Sequence, residues 1–423
     1  MTPRFAGLDF GTTNSTLGLC APDGAPSLLP VEDDSPTIPS ALFFSLEDGH
    51  TYFGRAAIAE YVDGAEGRFM RALKSILGTS LMTETTQVGR ERMTFVDLIG
   101  RFLRHLHGRL EERAAADGTT AVDRIVLGRP IHFVDDDATA DRAAQDQLET
   151  AARAQGFRHI EFQYEPVAAA LYYETQVASE ELALVVDIGG GTSDFSVVRL
   201  SPRRGGAANR LSDVLASTGV HVGGTDFDRQ LSIAKVMPLL GMGSRTADGK
   251  RIMPNWYFND MATWHRINTL YTQKVRRDVF ELKREAAEPA KLARFEHLLE
   301  HRGGHRLAGT VEAAKIALSD TDRTVIRHQD SELRLEIPTG RGDFEEAAAD
   351  LVARIASTIE EALTEAGVSS DAIETVILTG GGAQVPAVKA AATAKFPAAR
   401  IVLSDAFGSV GLGLAIEAAR RFA

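Results

Sequence analysis

Two loops carry the chemistry open to this chain. Near the start, Phe5-Ala-Gly-Leu-Asp9-Phe-Gly-Thr-Thr13 runs from an apolar strand through an aspartate to a glycine and two threonines. About 180 residues later, Val185-Val-Asp187-Ile-Gly-Gly-Gly-Thr192-Ser-Asp194 follows the same plan. Polyphosphate needs N–H and O–H donors, little bulk where backbone approaches, and a divalent cation to neutralise it. Gly11, Thr12 and Thr13 offer the first two from one loop, and Gly189, Gly190, Gly191 and Thr192 from the other. Asp9, Asp187 and Asp194 suit Mg²⁺, which dehydrates reluctantly and is held largely through its waters. One such loop describes a tight strand turn with a solvated aspartate equally well; two of them point to a nucleotide clamp.

The elements around these loops read as two variants of one α/β plan. Alternation from Phe5 to Leu19 predicts a hairpin, with further strands at Ala41–Phe44 and Tyr52-Phe53 and a helix over Leu98–Leu110. Arg124–Leu127, a helix over Asp137–Gln155 closed by Gly156, and His159–Phe162 form a strand, crossover helix and returning strand. Leu182–Val186 and Phe195–Leu200 rebuild the opening hairpin around the second loop. Leu351, Ile355, Ile359 and Leu363 mark a helix face ended by Gly367, and Thr375–Leu378 runs into a third glycine junction, Gly380-Gly-Gly382. Between these, Trp256 to Gly304 predicts a helical subdomain; Ser201–Gly206 and Gly241–Lys250 are Gly-rich, polar, flexible points.

The 423 residues, 44% apolar and 25% charged, allow two or more domains. With 46 basic against 58 acidic residues the net charge is −12, which disfavours nucleic acid and anionic membranes and requires any phosphate site to be local. A single cysteine, Cys20, allows no internal disulfide and reads as a small buried apolar residue. Neither a signal peptide nor a run of roughly 18 apolar residues is found, so a cytoplasmic protein is expected.

Several motifs taken together resemble the nucleotide-binding domain of the heat-shock protein 70 (DnaK) family. They are Gly7–Thr13, Glu165-Pro-Val-Ala-Ala-Ala170, Asp187–Asp194, Val222-Gly-Gly-Thr-Asp-Phe-Asp228, Leu378-Thr-Gly-Gly381 and Gly408-Ser-Val-Gly-Leu-Gly413, in that order. The tract from Met253-Pro-Asn-Trp256 onward looks more like the short YegD-type members. The resemblance implies an actin-like ATPase fold of two lobes, each with a ribonuclease H-like mixed sheet flanked by helices. Lobe I would span 1–184 with an insertion at about 38–110, and lobe II 185–385 with a helical insertion at about 226–309; 386–423 would close back towards lobe I. ATP or ADP with Mg²⁺ is the implied cofactor. Asp9, Asp187 and Asp194 match positions that organise the ion and its waters, and Thr12 and Thr192 match γ-phosphate contacts. Lys74 matches the lysine that reaches the γ-phosphate and attacking water, and Glu165 the carboxylate beside that water. Gly223, Gly224, Gly380 and Gly381 fall in the matching glycine motifs. Without the resemblance, Lys74 reads as an exposed helical lysine.

On the nucleoside side, Glu312, Lys315 and Ser319 match ribose and base contacts, and their i, i+3, i+7 spacing puts them on one helix face. Ile316 and Gln384 replace the arginines that cover the two faces of adenine. Losing each guanidinium stack costs about 0.5–2 kcal/mol, so weakened nucleotide affinity is expected. His297-Leu-Leu-Glu-His301 fits a zinc-protease pattern, with His305 four residues on. Gly303-Gly304 interrupts the helix and no distant carboxylate ligand is evident, so a histidine-bearing solvated helix is the reading. The runs Glu32-Asp33-Asp34 and Asp135-Asp-Asp137 read as a loop and a helix N-terminus.

The sequence ends about ten residues after the last family motif, without an interdomain linker or peptide-holding β-sandwich. A slow ATPase assisting the folding or assembly of client proteins, with cochaperones and as a monomer, is therefore the first expectation. A nucleotide-dependent scaffold with little hydrolysis is the second. A small-molecule kinase or filament former on the same fold is the third; Lys74 with Glu165 argues against the kinase, because those positions serve water rather than an acceptor hydroxyl.

Overall fold

A computed structural model describes residues 5–21, 24–118, 122–134, 137–174, 177–202, 210–330, 332–403 and 408–422. Asp135 and Asp136 of the acidic run, and 203–206 of the first flexible point, lie outside the described residues. Two five-strand paths dominate. In the first, β1 (Phe5–Phe10) and β2 (Asn14–Cys20) form the opening hairpin, while β3 (Arg124–Arg129) and β4 (His159–Tyr164) add in parallel on the other side of β1. Ser27–Leu29 continues the sheet antiparallel beyond β2, which Thr37–Pro39 also joins. In the second, β5 (Glu181–Ile188) and β6 (Ser193–Leu200) form the hairpin and β7 (Val214–Val220) extends it antiparallel. Thr375–Thr379, as β8, and Arg400–Leu403, as β9, add in parallel beyond β5. Read across, both sheets run parallel, parallel, antiparallel, antiparallel, so the duplication seen in the motifs is also a duplication of hydrogen-bond pattern.

Helices cover the sheets for local reasons. α1 (Gly54–Val62) packs on the strand Ala41–Ser45, and α2 (Phe95–Ala116) starts at a capping box in which Thr94 and Asp97 exchange hydrogen bonds. α3 (Ala138–Arg153) is capped by Asp137, whose Oδ1 accepts from Thr139 N at 3.0 Å and Ala140 N at 2.9 Å. α4 (Glu165–Glu174) follows β4, and α5 (Gly224–Leu231) follows the glycine pair after β7. The helices expected between Trp256 and Gly304 are seen as Asn255–Ala262, Gln273–Glu285 and Pro289–Glu300, and lead into α6 (Gly304–Asp320). α7 (Arg341–Ala366) buries Leu351, Ile355, Ile359 and Leu363 and ends at Gly367 with φ +66°, a left-handed C-cap.

The last helix, α8 (Ser409–Phe422), does not stay with the lobe that precedes it. It packs on β1 and β2, while α4, which follows the first sheet, packs on β5 and β6; the two helices pack on each other between the sheets. Glycines permit this approach. A Cβ on Gly7 would lie 2.3 Å from Ala415 N, and one on Gly413 would lie 1.8 Å from Ala168 O. The chain therefore crosses between its halves twice, through one shared layer of small residues.

The buried Cys20 thiol agrees with its reading as core, and burial pushes it up. No helix among the described residues is long and apolar enough to cross a membrane.

Candidate functional site

The two hairpin turns face each other. A Cβ on Gly190 would fall 1.7 Å from Thr13 Oγ1, so the second loop needs glycine where the first loop's threonine meets it. Ser40 anchors the first loop from behind, its N donating to Thr13 O at 2.8 Å and its Oγ to Gly11 O at 2.6 Å. The second loop rests on the start of α5: Gly224 N donates to Gly189 O at 2.9 Å and Thr225 N to Gly190 O at 2.8 Å. A Cβ on Gly223 would lie 2.4 Å from Gly191 N, whereas one on Gly191 would meet nothing within 4 Å. Gly191 thus presents bare backbone to open space, as a phosphate cradle requires. Gly380, at φ +80°, brings the third glycine junction onto Ile188 O and the Asp187 carboxylate.

Charge is concentrated below these turns. Lys74 Nζ donates to Glu165 Oε1, and both side chains are largely buried. Lys74 sits in a 3₁₀ turn, Leu73–Ile76, entered through Ala72 at φ +59°, a left-handed conformation costly for a residue with a Cβ. The lysine is held inward there; the reading of it as an exposed helical residue does not describe it. Glu165 opens α4, and a Cβ on Gly128 would come within 3.2 Å of its Cγ. Asp187 stands directly across the hairpin from Asp194, a cross-strand pair of carboxyl groups that disfavours having both charged. The Asp194 Oδ2 accepts from Thr192 Oγ1 at 3.3 Å.

These groups perturb one another. Burial, then the charge of Glu165, pushes Asp9 up to about 7, with Lys74 opposing. Burial, then Asp194, Glu165 and Asp9, pushes Asp187 up to about 8. Burial alone would lower Lys74, but Glu165 and Asp9 outweigh it and hold the ammonium above its ordinary range. Four carboxylates against one ammonium leave surplus negative potential in a buried place. Opposing charge must come from protons or from a cation.

Lys315 and Glu312 lie on α6 beside this cradle. The Lys315 ammonium is already engaged, 2.8 Å from Asp228 Oδ1 and 3.1 Å from Gly224 O, so it ties α6 to α5. Glu312 lines an adjoining narrow pocket with Arg71, Thr225, Asp228 and Trp264. Ser319 is partly exposed further along α6; Ile316 is 57% exposed, and Gly381 and Gln384 are exposed beyond β8. Thus Asp9, Lys74, Glu165, Asp187, Asp194 and the loop glycines come together; the turn Gly381–Gln384 packs on β5, and among the described residues no side-chain hydrogen bond joins Ser319 or Gln384 to the carboxylates. Sequence reasoning missed Asp228, which burial, reinforced by Glu312 and opposed by Lys315, pushes up to about 6; its signal lay within the Val222–Asp228 motif. Ser40 and Arg71 carried no comparable signal.

The zinc-like run is occupied otherwise. His297 Nε2 lies 3.0 Å from both Asp330 oxygens, so a distant carboxylate does reach it, contrary to the sequence reading. His305 turns away to Tyr61 and Trp264, and among the described residues no three histidine, cysteine or acidic side chains form a metal-binding group.

Comparisons agree with this architecture. The family model described as Hsp70 protein matches residues 290–419, and that described as MreB/Mbl protein matches 95–253. The chain is 27% identical over 410 residues to the chaperone protein dnaK1 of Prochlorococcus marinus, covering 91% of this chain and 52% of that protein. It is 27% identical over 385 residues to the chaperone protein DnaK of Thermotoga petrophila, covering 90% and 54%. With that of Thermosipho melanesiensis it shares 26% over 418 residues, covering 98% and 58%. The chain thus spans about half the length of these curated relatives. It is similar to the DnaK chaperones over about nine-tenths of its length, and its two mixed sheets with their helices form a two-lobed, actin-like fold.

Proposed function

We propose that this chain binds Mg²⁺-ATP between its facing glycine loops and hydrolyses it slowly in support of the folding or assembly of other proteins. The observation that carries the reading is the Lys74–Glu165 pair buried among Asp9, Asp187 and Asp194 beneath an open glycine cradle. The carboxylates suit Mg²⁺ held through its waters: they are hard oxygen groups whose surplus charge such an ion needs, although among the described residues no three of them gather closely enough to ligate it directly. Asp9 and Asp187 would hold it through its waters, and the bound ion would neutralise the phosphate oxygens.

The chain's own groups have distinct tasks. Backbone N–H groups of the two loops, with Thr12 and Thr192, would orient the terminal phosphate, and Lys74 would place positive charge beside it. Glu165, hydrogen-bonded to Lys74, is positioned to orient water and accept its proton, while Asp194 and Thr192 fix the far side of the same space. Phosphoryl transfer consists mainly of positioning and charge neutralisation, which this arrangement supplies without a covalent step. The chaperone role comes from the names of the relatives; clients and cochaperones follow as proposed partners.

A second reading, a nucleotide-dependent binding module with little turnover, is favoured by exposed Ile316 and Gln384 on the nucleoside side. Phosphate release by the purified protein with ATP and with GTP, beside Asp187→Ala and Lys74→Ala, separates the two. Hydrolysis predicts loss of activity in both variants, on the order of a hundredfold. Equal rates in all three proteins would remove the enzyme reading.

A further inference from the structure

Glycine lets backbone approach an anion, but it also lets a turn peptide swing over, because both signs of φ are open to it. A swung peptide would aim a carbonyl, instead of an N–H, at the phosphate. Each of the facing loops contains such a peptide, Gly11–Thr12 in the first and Gly190–Gly191 in the second. In each, a side-chain hydroxyl from a neighbouring element grips the carbonyl.

In the first loop the grip is Ser40, which directly follows the strand Thr37–Pro39. Its Oγ lies 2.6 Å from Gly11 O and 2.9 Å from Ser15 Oγ. A carbonyl can only accept, so the single Ser40 hydrogen goes to Gly11 O and Ser15 donates to Ser40. Both serines are buried, which shields this chain of hydrogen bonds from water. In the second loop the grip is Thr225, the second residue of α5. Its N and its Oγ1 each donate to Gly190 O at 2.8 Å, beside the bond from Gly224 N to Gly189 O at 2.9 Å. Two successive carbonyls therefore face α5. A trans peptide is planar with its N–H opposite its C=O, so the N–H groups of Thr12, Gly190 and Gly191 point away from these anchors. Successive N–H groups turned to one side make an anion-binding nest. A Cβ on Gly223 would lie 2.4 Å from Gly191 N, 2.5 Å from Gly190 C and 2.6 Å from Gly190 O. Gly223 thus lies flat on the face of that peptide and leaves the N–H edge uncovered.

We propose that Ser40 and Thr225 are a matched pair of positioning residues, whose hydroxyls hold the Gly11 and Gly190 carbonyls back and so commit the N–H groups of Thr12 and Gly191 to the phosphate chain. The proposal rests on the nucleotide reading of the cleft. Neither hydroxyl touches the ligand; each acts through the peptide it grips.

The test uses the full chain with Thr225→Val, which keeps the side-chain shape and the main-chain bond, with Ser40→Ala, and with Thr225→Ser, which restores the hydroxyl. Calorimetry gives Kd for Mg²⁺-ATP, and displacement of a fluorescent ATP analogue gives Kd for Mg²⁺-tripolyphosphate, a phosphate chain without a nucleoside. Losing one net hydrogen bond predicts roughly two- to twelvefold weaker binding in Thr225→Val and in Ser40→Ala, by the same factor for both probes. Thr225→Ser should bind both probes like the parent. Thr225 also lines the pocket of Asp228 and Glu312, so a disturbance passed to the nucleoside side would weaken ATP alone, and that result overturns the proposal. Affinities equal to the parent's in both variants overturn it too, as does Thr225→Ser binding as weakly as Thr225→Val. If Ser40→Ala melts well below the parent, Thr225→Val decides alone, since its hydroxyl is exposed and its loss leaves the core untouched. A parent that binds neither probe refutes the nucleotide reading and this one with it; a parent that binds both, with variants that match it, refutes only the matched pair.

Discussion

Loading the cleft with Mg²⁺-ATP should release protons, and their number follows from the surroundings of two aspartates. Asp9 is pushed up to about 7 by burial and Glu165, and Asp187 to about 8 by burial and the carboxylates of Asp194, Glu165 and Asp9. At about pH 7 the first is then about half protonated and the second about nine-tenths, near 1.4 protons together. A divalent cation facing these carboxylates favours their charged forms and drives the protons off. Release should therefore be about one to one and a half protons at pH 7, about 0.6 at pH 8, and close to zero by about pH 9.5. Isothermal calorimetry in several buffers of equal pH but different ionisation enthalpy reads this directly, since the observed heat varies with buffer enthalpy in proportion to protons exchanged. Asp187→Asn removes the more protonated group and should leave about half a proton at pH 7. Clear binding heat with no buffer dependence at pH 7 would refute the claim that these carboxylates are buried in protonated form.

Two further outcomes follow. Because the folded-state values of Asp9 and Asp187 lie above the ordinary 3.8, the folded chain binds more protons than the unfolded chain between about pH 4 and 8. Their contribution is complete below about pH 4 and is lost as pH rises through 7 and 8, so thermal melts without nucleotide should show Tm falling from about pH 6 to 8.5. Asp187→Asn should flatten much of that fall, and an unaltered slope in the variant contradicts the assignment. Gly190→Ala, whose methyl would sit 1.7 Å from Thr13 Oγ1, should separate the facing loops and weaken Mg²⁺-ATP binding at least about tenfold. A calorimetric Kd matching the parent's would mean the loops do not meet in solution.

The sequence disclosed what depends on local pattern. Both hairpins, the strand–helix–strand unit Arg124–Tyr164 and the Gly367 terminus are written in alternation, helical spacing and glycine placement, and the structure contains them. The helix read at Leu98–Leu110 runs instead from Phe95 to Ala116, because the Thr94–Asp97 capping box sets its start ahead of the apolar stripe. The β-hairpin Arg323–Gln329 with Arg334–Gly340 was unread, since its exposed face interleaves charged residues that resemble loop composition. Within the site, Asp9, Asp187 and the glycines were legible as motifs. Lys74 needed the family resemblance, because its inward direction comes from Ala72 in a left-handed conformation that alanine does not advertise. Tyr61, Arg71 and Trp264 were silent for a different reason: each meets a partner about 200 residues away, and no local spacing encodes that.

Where α4 and α8 cross, Gly413 lies against Ala168, while Gly411 and Ala415 of α8 face Thr16 and Gly18 of β2, so small residues stand where ridges would normally interlock. Such contacts bring backbone against backbone, so a displacement of one helix is passed directly to the other. Since Glu165 is the first residue of α4, any shift of that helix would move the carboxylate that Lys74 holds. A bulky substitution at Gly413, where even a Cβ would lie 1.8 Å from Ala168 O, would push α4 aside and carry Glu165 with it.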